Sequence, residues 1–206
     1  MKKRYVALMI CGGLIVIDQT NRHLQETAAS AAAALSPSAE TPAEIHARQM
    51  VQDTRLVDGV RDHINQSRDR LKHYYATADE VQQAAGELTD LTAVAVNHAQ
   101  GDGKERVLAQ KARALIPSLA QQTRLLYASA LEERYVKNGF DIAVRVNGTE
   151  LLLTYALMSK PLVYKLQNES SLTGQAANYG FTRIVYTNGF ESSLGMTWTQ
   201  TLSAPW

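Results

Sequence analysis

The stretch Phe140-Asp-Ile-Ala-Val-Arg-Val-Asn-Gly-Thr-Glu-Leu-Leu-Leu-Thr-Tyr155 alternates apolar with polar or small residues before a central Asn-Gly pair. Such alternation is typical of a half-buried strand, and Asn-Gly is the strongest short signal for a two-residue hairpin turn. A type I′ turn at Asn147-Gly148 requires positive φ at both positions. The pattern predicts an antiparallel hairpin with these cross-strand pairs on its strands: Arg145 with Glu150, Val144 with Leu151, Ile142 with Leu153 and Phe140 with Tyr155.

A second hairpin is predicted further along the chain, around Asn188-Gly189. Its strands would be residues 181–187 and 193–199. A two-residue turn opposes Arg183 to Leu194, which pairs a charge with an apolar side chain. A loop longer by two residues instead brings Phe181 against Trp198 and Val185 against Leu194. The sequence leaves the choice of register open.

The segment between the hairpins, residues 159–180, carries helix signals. Ser159 with Pro161 favours a helix start, Ser171 offers a second cap, and Gly180 suits the position after a helix end. These signals predict one broken helix, strongest over residues 172–179, although residues 162–166 would also fit an extension of the second strand. Residues 140–206 are therefore expected to form a ββαββ module with a mainly antiparallel sheet, covered on one face by helix.

The N-terminus has the features of an export signal. Lys2, Lys3 and Arg4 precede an uncharged apolar run at residues 5–17, which is shorter than the roughly 20 residues of a spanning helix. Because no small-residue cleavage site occurs before residues 29–31, an uncleaved signal anchor over residues 1–26 is favoured. The basic residues place the N-terminus in the cytoplasm, so the bulk of the chain would be periplasmic. Cleavage, which would give a secreted or periplasmic protein, is the alternative.

Cys11, the single cysteine, lies inside this apolar run. Leu8 precedes it by three residues, as in a lipoprotein signal, but Ile10 stands where a small residue is needed. A cysteine buried in an apolar segment is the favoured interpretation, and lipidation is left open. Residues 27–40 are rich in Ala, Ser and Pro and are expected to be a flexible linker.

Residues 41–139 predict a helical arm, either an antiparallel helical hairpin or three helices. Helix starts are indicated at Thr41, Thr77 and Asp102, and a helix end near Asn138-Gly139. Apolar residues recur every seven positions in the first helix, interrupted by Asp53 and Ser67. We call this row the heptad seam: Met50, Val57, Ile64 and Leu71. It is one candidate surface for a protein partner or for self-association, and the sheet face not covered by helix is the other.

No chemical motif stands out in the sequence. The net charge of +1 argues against nucleic-acid binding. His46, His63 and His73 are not spaced three or four residues apart, so no metal pair is expected on that helix. Zinc-protease, serine-nucleophile and phosphate-loop motifs are missing, so no catalytic residue, cofactor or metal is predicted.

The sequence thus predicts an α+β protein with four parts: 1–26 signal anchor, 27–40 flexible linker, 41–139 helical arm and 140–206 ββαββ module. The predicted function is non-catalytic, namely an envelope protein tethered to the inner membrane that presents a protein-interaction surface outside it. Two alternatives stay open. One is an extracytoplasmic small-ligand sensor acting through a partner, and the other is an enzyme without a recognisable motif.

Overall fold

The computed structural model describes residues 40–190 and 193–203, so the predicted anchor, Cys11 and the linker up to residue 39 lie outside the described residues. The helices of the described residues are α1 (Pro42–Arg70), α2 (Ala78–Asn97), α3 (Gly103–Lys137), α4 (Lys160–Gln167) and α5 (Ser170–Asn178). The strands are β1 (Ala143–Asn147), β2 (Glu150–Thr154), β3 (Arg183–Thr187) and β4 (Thr197–Thr201). The protein is mixed α+β, with five helices and a four-stranded sheet in this part of the chain.

The three predicted helix starts of the arm are confirmed, each by side-chain capping. Before α1, the Thr41 backbone N–H donates to Glu44 Oε2 at 2.8 Å, and the Glu44 N–H donates back to Thr41 Oγ1 at 3.3 Å. Thr77 and Glu80 form the same reciprocal capping box before α2. Asp102 Oδ1 accepts from the backbone N–H of Lys104 at 2.8 Å at the start of α3. Local hydrogen bonds therefore set these boundaries.

The predicted broken helix of the module is present as α4 and α5, so the alternative in which residues 162–166 extend a strand is wrong. Pro161 lies in the first turn of α4 and Gly180 follows α5 at φ +77°, as expected. The capping role of Ser171 is wrong, because Glu169 is the N-cap residue and Ser171 Oγ donates to its carboxylate at 3.0 Å. The Ser159 side chain makes no capping hydrogen bond.

Chain contacts divide the protein after His46, and the residues from Ala47 onward form one compact unit. Of the first unit, the structure describes only residues 40–46. In the second, α2 and α3 run antiparallel along each other, since Arg113 donates to the Ala95 carbonyl near one end while Val81 and Tyr127 line the same cavity near the other. One continuous apolar core includes side chains from α1, α2, α3, the sheet and both module helices.

Within the described residues, no helix is long and apolar enough to span a membrane. The membrane segment predicted at residues 5–17 lies outside this part of the chain.

The sheet has the order β1-β2-β3-β4 and is mixed. The two hairpin pairs are antiparallel, whereas β2 and β3 run parallel, joined through α4 and α5. One face of the sheet is buried against the core, and the opposite face is half-exposed or exposed. The buried face carries Val144, Leu151, Leu153, Ile184 and Tyr186. β1 and β4 are the edge strands.

The predicted register of the first hairpin is wrong by two positions. Asn147 is the last residue of β1 and pairs with Glu150, so Gly148 and Thr149 form the turn. Arg145 therefore lies opposite Leu152, and Glu150 forms an ion pair with Arg183 of the parallel strand instead. The predicted pairs shift accordingly: Val144 pairs with Leu153 and Val146 with Leu151, while Phe140 and Ile142 precede the strand.

The second hairpin has neither of the two registers left open by the sequence. Arg183 pairs with Thr201, Val185 with Thr199, and the connection spans residues 188–196. Asn188 is buried and organises this long loop, because its side-chain amide donates to the Leu194 carbonyl at 2.8 Å and accepts from the Met196 N–H at 2.9 Å. The Asn-Gly pair thus serves as a loop anchor, since a buried side-chain amide must satisfy its own polar atoms.

Replacement of Gly148 by Val is expected to lower the free energy of unfolding by about 1–3 kcal/mol. Gly148 has φ +60°, a conformation that a β-branched residue adopts only under strain, although an added Cβ would meet no atom within 4 Å. Gly103→Val is the control, because Gly103 opens α3 without a positive φ and should change stability by less than about 1 kcal/mol. Denaturant unfolding of the full-length variants in detergent measures both. Equal losses would contradict the turn geometry.

Candidate functional site

A groove of about 1140 Å³ lies between the end of α1, α3 and strand β1, and we call it the edge groove. The end of α1 and the connection after it contribute Arg70, Leu71, His73, Tyr74 and Tyr75. Helix α3 contributes Leu125, Ala128, Ser129, Glu132 and Glu133, and β1 contributes Val144, Arg145 and Val146.

The groove runs along the open edge of β1. Val144, Arg145 and Val146 all line it, although consecutive side chains of a strand point to opposite faces of the sheet. The strand therefore presents its edge, and not one of its faces, to the groove. The Val144 N–H points away from β2 and donates to Glu132 Oε2 at 3.2 Å. In a strand, the N–H and C=O groups of every second residue point to the same side. The Val146 N–H and C=O therefore also point away from β2. Among the described hydrogen bonds, none on that side involves the Val146 main chain.

The opposite wall presents two tyrosines on a well-fixed connection. The Tyr74 and Tyr75 side chains are 69% and 42% exposed. The Arg70 guanidinium donates to the Tyr75 carbonyl at 3.2 Å, and the Ala76 N–H donates to Ser129 Oγ of α3 at 3.0 Å. The connection is therefore hydrogen-bonded to both α1 and α3. Exposed tyrosine rings on a connection held in this way are suited to recognition, because a tyrosine side chain has only two χ angles to order on binding.

Most charged groups of the groove have partners. Arg70 forms an ion pair with Glu80, and Glu133 pairs with Lys137 at 3.0 Å. Burial by itself would raise the pKa of the Glu80 carboxyl, but hydrogen bonds from Thr77 and the charge of Arg70 outweigh it and lower the pKa.

Arg145 is the exception among these charged groups. Its side chain is exposed on the open face of the sheet, and no ion pair to it is found among the described residues. The groove therefore offers a main-chain edge, aromatic rings and a guanidinium that has room for a partner.

The heptad seam is placed mostly inside the protein. Val57 and Ile64 are 3% and 5% exposed and belong to the core, while Met50 and Leu71 are half-buried against it. Leu71 is the member that also lines the edge groove. The contacts of Val57 and Ile64 are thus made within the chain, and the use of the seam by a partner stays a prediction.

A buried polar cluster explains one interruption of the heptad seam. His98 is 5% exposed, and its Nε2 lies 2.7 Å from Asp53 Oδ2, while its Nδ1 lies 3.7 Å from Glu105 Oε2. Asp53 Oδ1 also accepts from the Gln49 side chain at 2.8 Å. Carboxylates face both ring nitrogens, so the cluster ties α1 to the α2–α3 connection.

The sequence pattern leads to no prediction for His98, so this cluster was not anticipated. The available signal was Asp53 itself, since a carboxylate in an apolar seam needs a buried partner. In the described part of the chain, no group of three or more His, Cys, Asp or Glu side chains is arranged to hold a metal ion. Of the helix histidines, His63 lies 2.6 Å from Glu87 and joins α1 to α2.

No protein-family model matches this chain, and comparisons with curated proteins and with solved structures also give no significant match.

Proposed function

We propose that this chain is a non-catalytic envelope protein, tethered to the inner membrane through residues 5–17, and that the edge groove is its protein-interaction surface. The basic residues Lys2, Lys3 and Arg4 before the apolar run support this orientation, with the bulk of the chain outside the cytoplasm.

The observation that carries the proposal is the combination, in one groove, of an open strand edge with exposed tyrosines. Unpaired main-chain groups at a sheet edge are a template for another chain, and proteins normally cover such edges. Tyrosine is enriched at protein interfaces, where its ring contributes apolar contact area and its hydroxyl a hydrogen bond. A groove with both features binds a peptide segment more naturally than a compact metabolite, which usually occupies roughly 300–1,000 Å³ of mostly enclosed space.

Of the two acid–histidine contacts described above, Asp53–His98 and Glu87–His63, the more buried one supports the non-catalytic part of the proposal. Asp53 and His98 have the contact distance of an acid–base pair, but the His98 side chain is 7% exposed and Glu105 lies near its other ring nitrogen. A general base has to come within hydrogen-bond reach of its substrate. The arrangement is better suited to holding helices together than to proton transfer.

Site-specific photocrosslinking in intact cells tests the interaction surface. A photoreactive residue in place of Tyr74 is expected to give a discrete adduct with another protein. The matched control is Tyr164, which is 70% exposed on α4 and does not line the groove. Adducts of equal yield from both positions, or none from position 74, would contradict the proposal.

A reporter fusion tests the location of the chain separately. A reporter that is active only in the periplasm, fused after Trp206, is expected to be active, while a cytoplasm-specific reporter at the same position is silent. The physical reason is the basic N-terminal flank, which is retained on the cytoplasmic side. The reverse pattern would refute the location. It would not affect the proposal for the edge groove, which the crosslinking experiment tests.

A further inference from the structure

We infer that the edge groove binds an extended acidic peptide of a partner protein, which adds to β1 as a further strand and places a carboxylate opposite Arg145. This inference rests on the proposed function and specifies the chemistry of the partner.

The main chain of β1 is prepared for such an addition. The outward-pointing groups lie on alternate residues, and Val144 and Val146 both line the groove. The Val144 N–H is currently bonded to the Glu132 carboxylate, which occupies the place where a neighbouring strand would put a carbonyl oxygen. Glu132 thus covers the edge in the way that charged side chains protect open strands. An incoming strand replaces this one contact. It also forms hydrogen bonds with the Val146 N–H and C=O, which no described hydrogen bond uses on that side.

The side-chain pattern of the partner follows from the two faces of the sheet. A residue directly opposite Arg145 in an added strand points to the same face as Arg145, because facing residues share a side. A carboxylate there meets the exposed guanidinium, which has no ion-pair partner among the described residues. The residues on either side of it point to the face of Val144 and Val146, toward Leu125 and Ala128 on the α3 wall. The expected pattern is therefore apolar, acidic, apolar.

A second copy of this chain fits the same edge less well. A two-fold antiparallel pairing centred on the groove would use Val144 and Val146 of both copies. That register sets the two Arg145 side chains directly opposite each other, and like charges in this position are destabilising. The charge arrangement therefore favours a different protein with an acidic strand.

The experiment uses the full-length protein in detergent and three labelled peptides followed by fluorescence anisotropy. The first peptide is Ser-Thr-Val-Glu-Val-Thr-Ser, and the second carries Lys in place of Glu. The third is the first peptide with N-methyl groups on the alternate amides that would face β1. The Glu peptide is expected to bind about 1.4-fold to fivefold more tightly than the Lys peptide. The N-methylated peptide is expected not to bind, because it retains the side chains and loses the strand hydrogen bonds.

Arg145→Glu is expected to reverse the preference between the Glu and Lys peptides. Arg61→Glu, at an exposed position of α1 outside the groove, makes the same change in net charge and should leave the preference intact. Equal binding of the two peptides, an unchanged preference in Arg145→Glu, or binding of the N-methylated peptide would overturn the inference, as would the lack of binding at millimolar peptide.

The two proposals fail in distinguishable ways. An adduct from position 74 with a different protein, together with no peptide binding, leaves the interaction surface standing and removes the acidic strand. An adduct at twice the mass of the chain shows that a second copy occupies the groove, which also overturns the inference. Failure of both the adduct and the peptide removes both proposals.

Discussion

Ile64→Lys is expected to lower the free energy of unfolding by at least about 2–5 kcal/mol, the usual cost of losing a large buried aliphatic side chain. Ile64 is 5% exposed and lies in the core with Val57 and Val60 of the same helix. The ammonium group adds to the loss, because a charge without a partner is costly in an apolar contact. Denaturant unfolding of the full-length chain in detergent provides the measurement.

Val51→Lys is the matched control for Ile64→Lys. Val51 is on the same helix and is 51% exposed, so the same new charge remains in water and stability should change by less than about 0.5 kcal/mol. Equal losses in the two variants would mean that α1 does not pack through its heptad seam. A change in oligomeric mass for Ile64→Lys alone would instead show that the seam contacts another chain.

His98→Phe is expected to cost about 1–3 kcal/mol or more, because it removes the hydrogen-bond partner of a buried carboxylate. The phenyl ring preserves most of the side-chain volume but removes both nitrogens. It leaves the Asp53 carboxylate, 11% exposed, facing an apolar ring in place of Nε2. The measurement is again denaturant unfolding, and a double-mutant cycle with Asp53→Asn separates the pair from each single change.

His63→Phe is the comparison for His98→Phe, because it removes a second histidine–carboxylate contact between helices. The His63 and Glu87 side chains are 20% and 17% exposed, so water partly replaces the lost contact and the loss should be clearly smaller. If His98→Phe costs no more than His63→Phe, the buried cluster is not what holds α1 to the α2–α3 connection.

The helix boundaries were predictable because their signals are local. Thr77 and Glu80 bond each other within one turn, and Asp102 accepts from the backbone N–H groups of Lys104 and Glu105. The faces of the first hairpin were also predictable. A two-residue shift of register leaves every side chain on its original face, so Val144, Leu151 and Leu153 are buried together despite the wrong pairing.

The pairing itself was not predictable from the turn. Asn-Gly favours a type I′ turn in isolation, but here Gly148 is the first of two loop residues, the position at which a type II′ turn requires glycine. In the structure β2 also pairs with the parallel strand β3, where Glu150 forms an ion pair with Arg183. The energetic preference of a two-residue turn for one turn type is small compared with the contacts that the central strand β2 makes with β1 and β3.

The sequence by itself determined the mixed α+β class, the starts of the three arm helices and the buried face of the first hairpin, because these depend on hydrogen bonds and periodicities within a few residues. Only the tertiary structure decided the parallel pairing of β2 with β3, the contact of Asp53 with His98 and the edge groove. Asp53 and His98 are 45 positions apart, and Glu150 and Arg183 are 33 apart. Contacts at such separations depend on how whole elements pack, since the entropy of closing the intervening chain is offset only by the complete core.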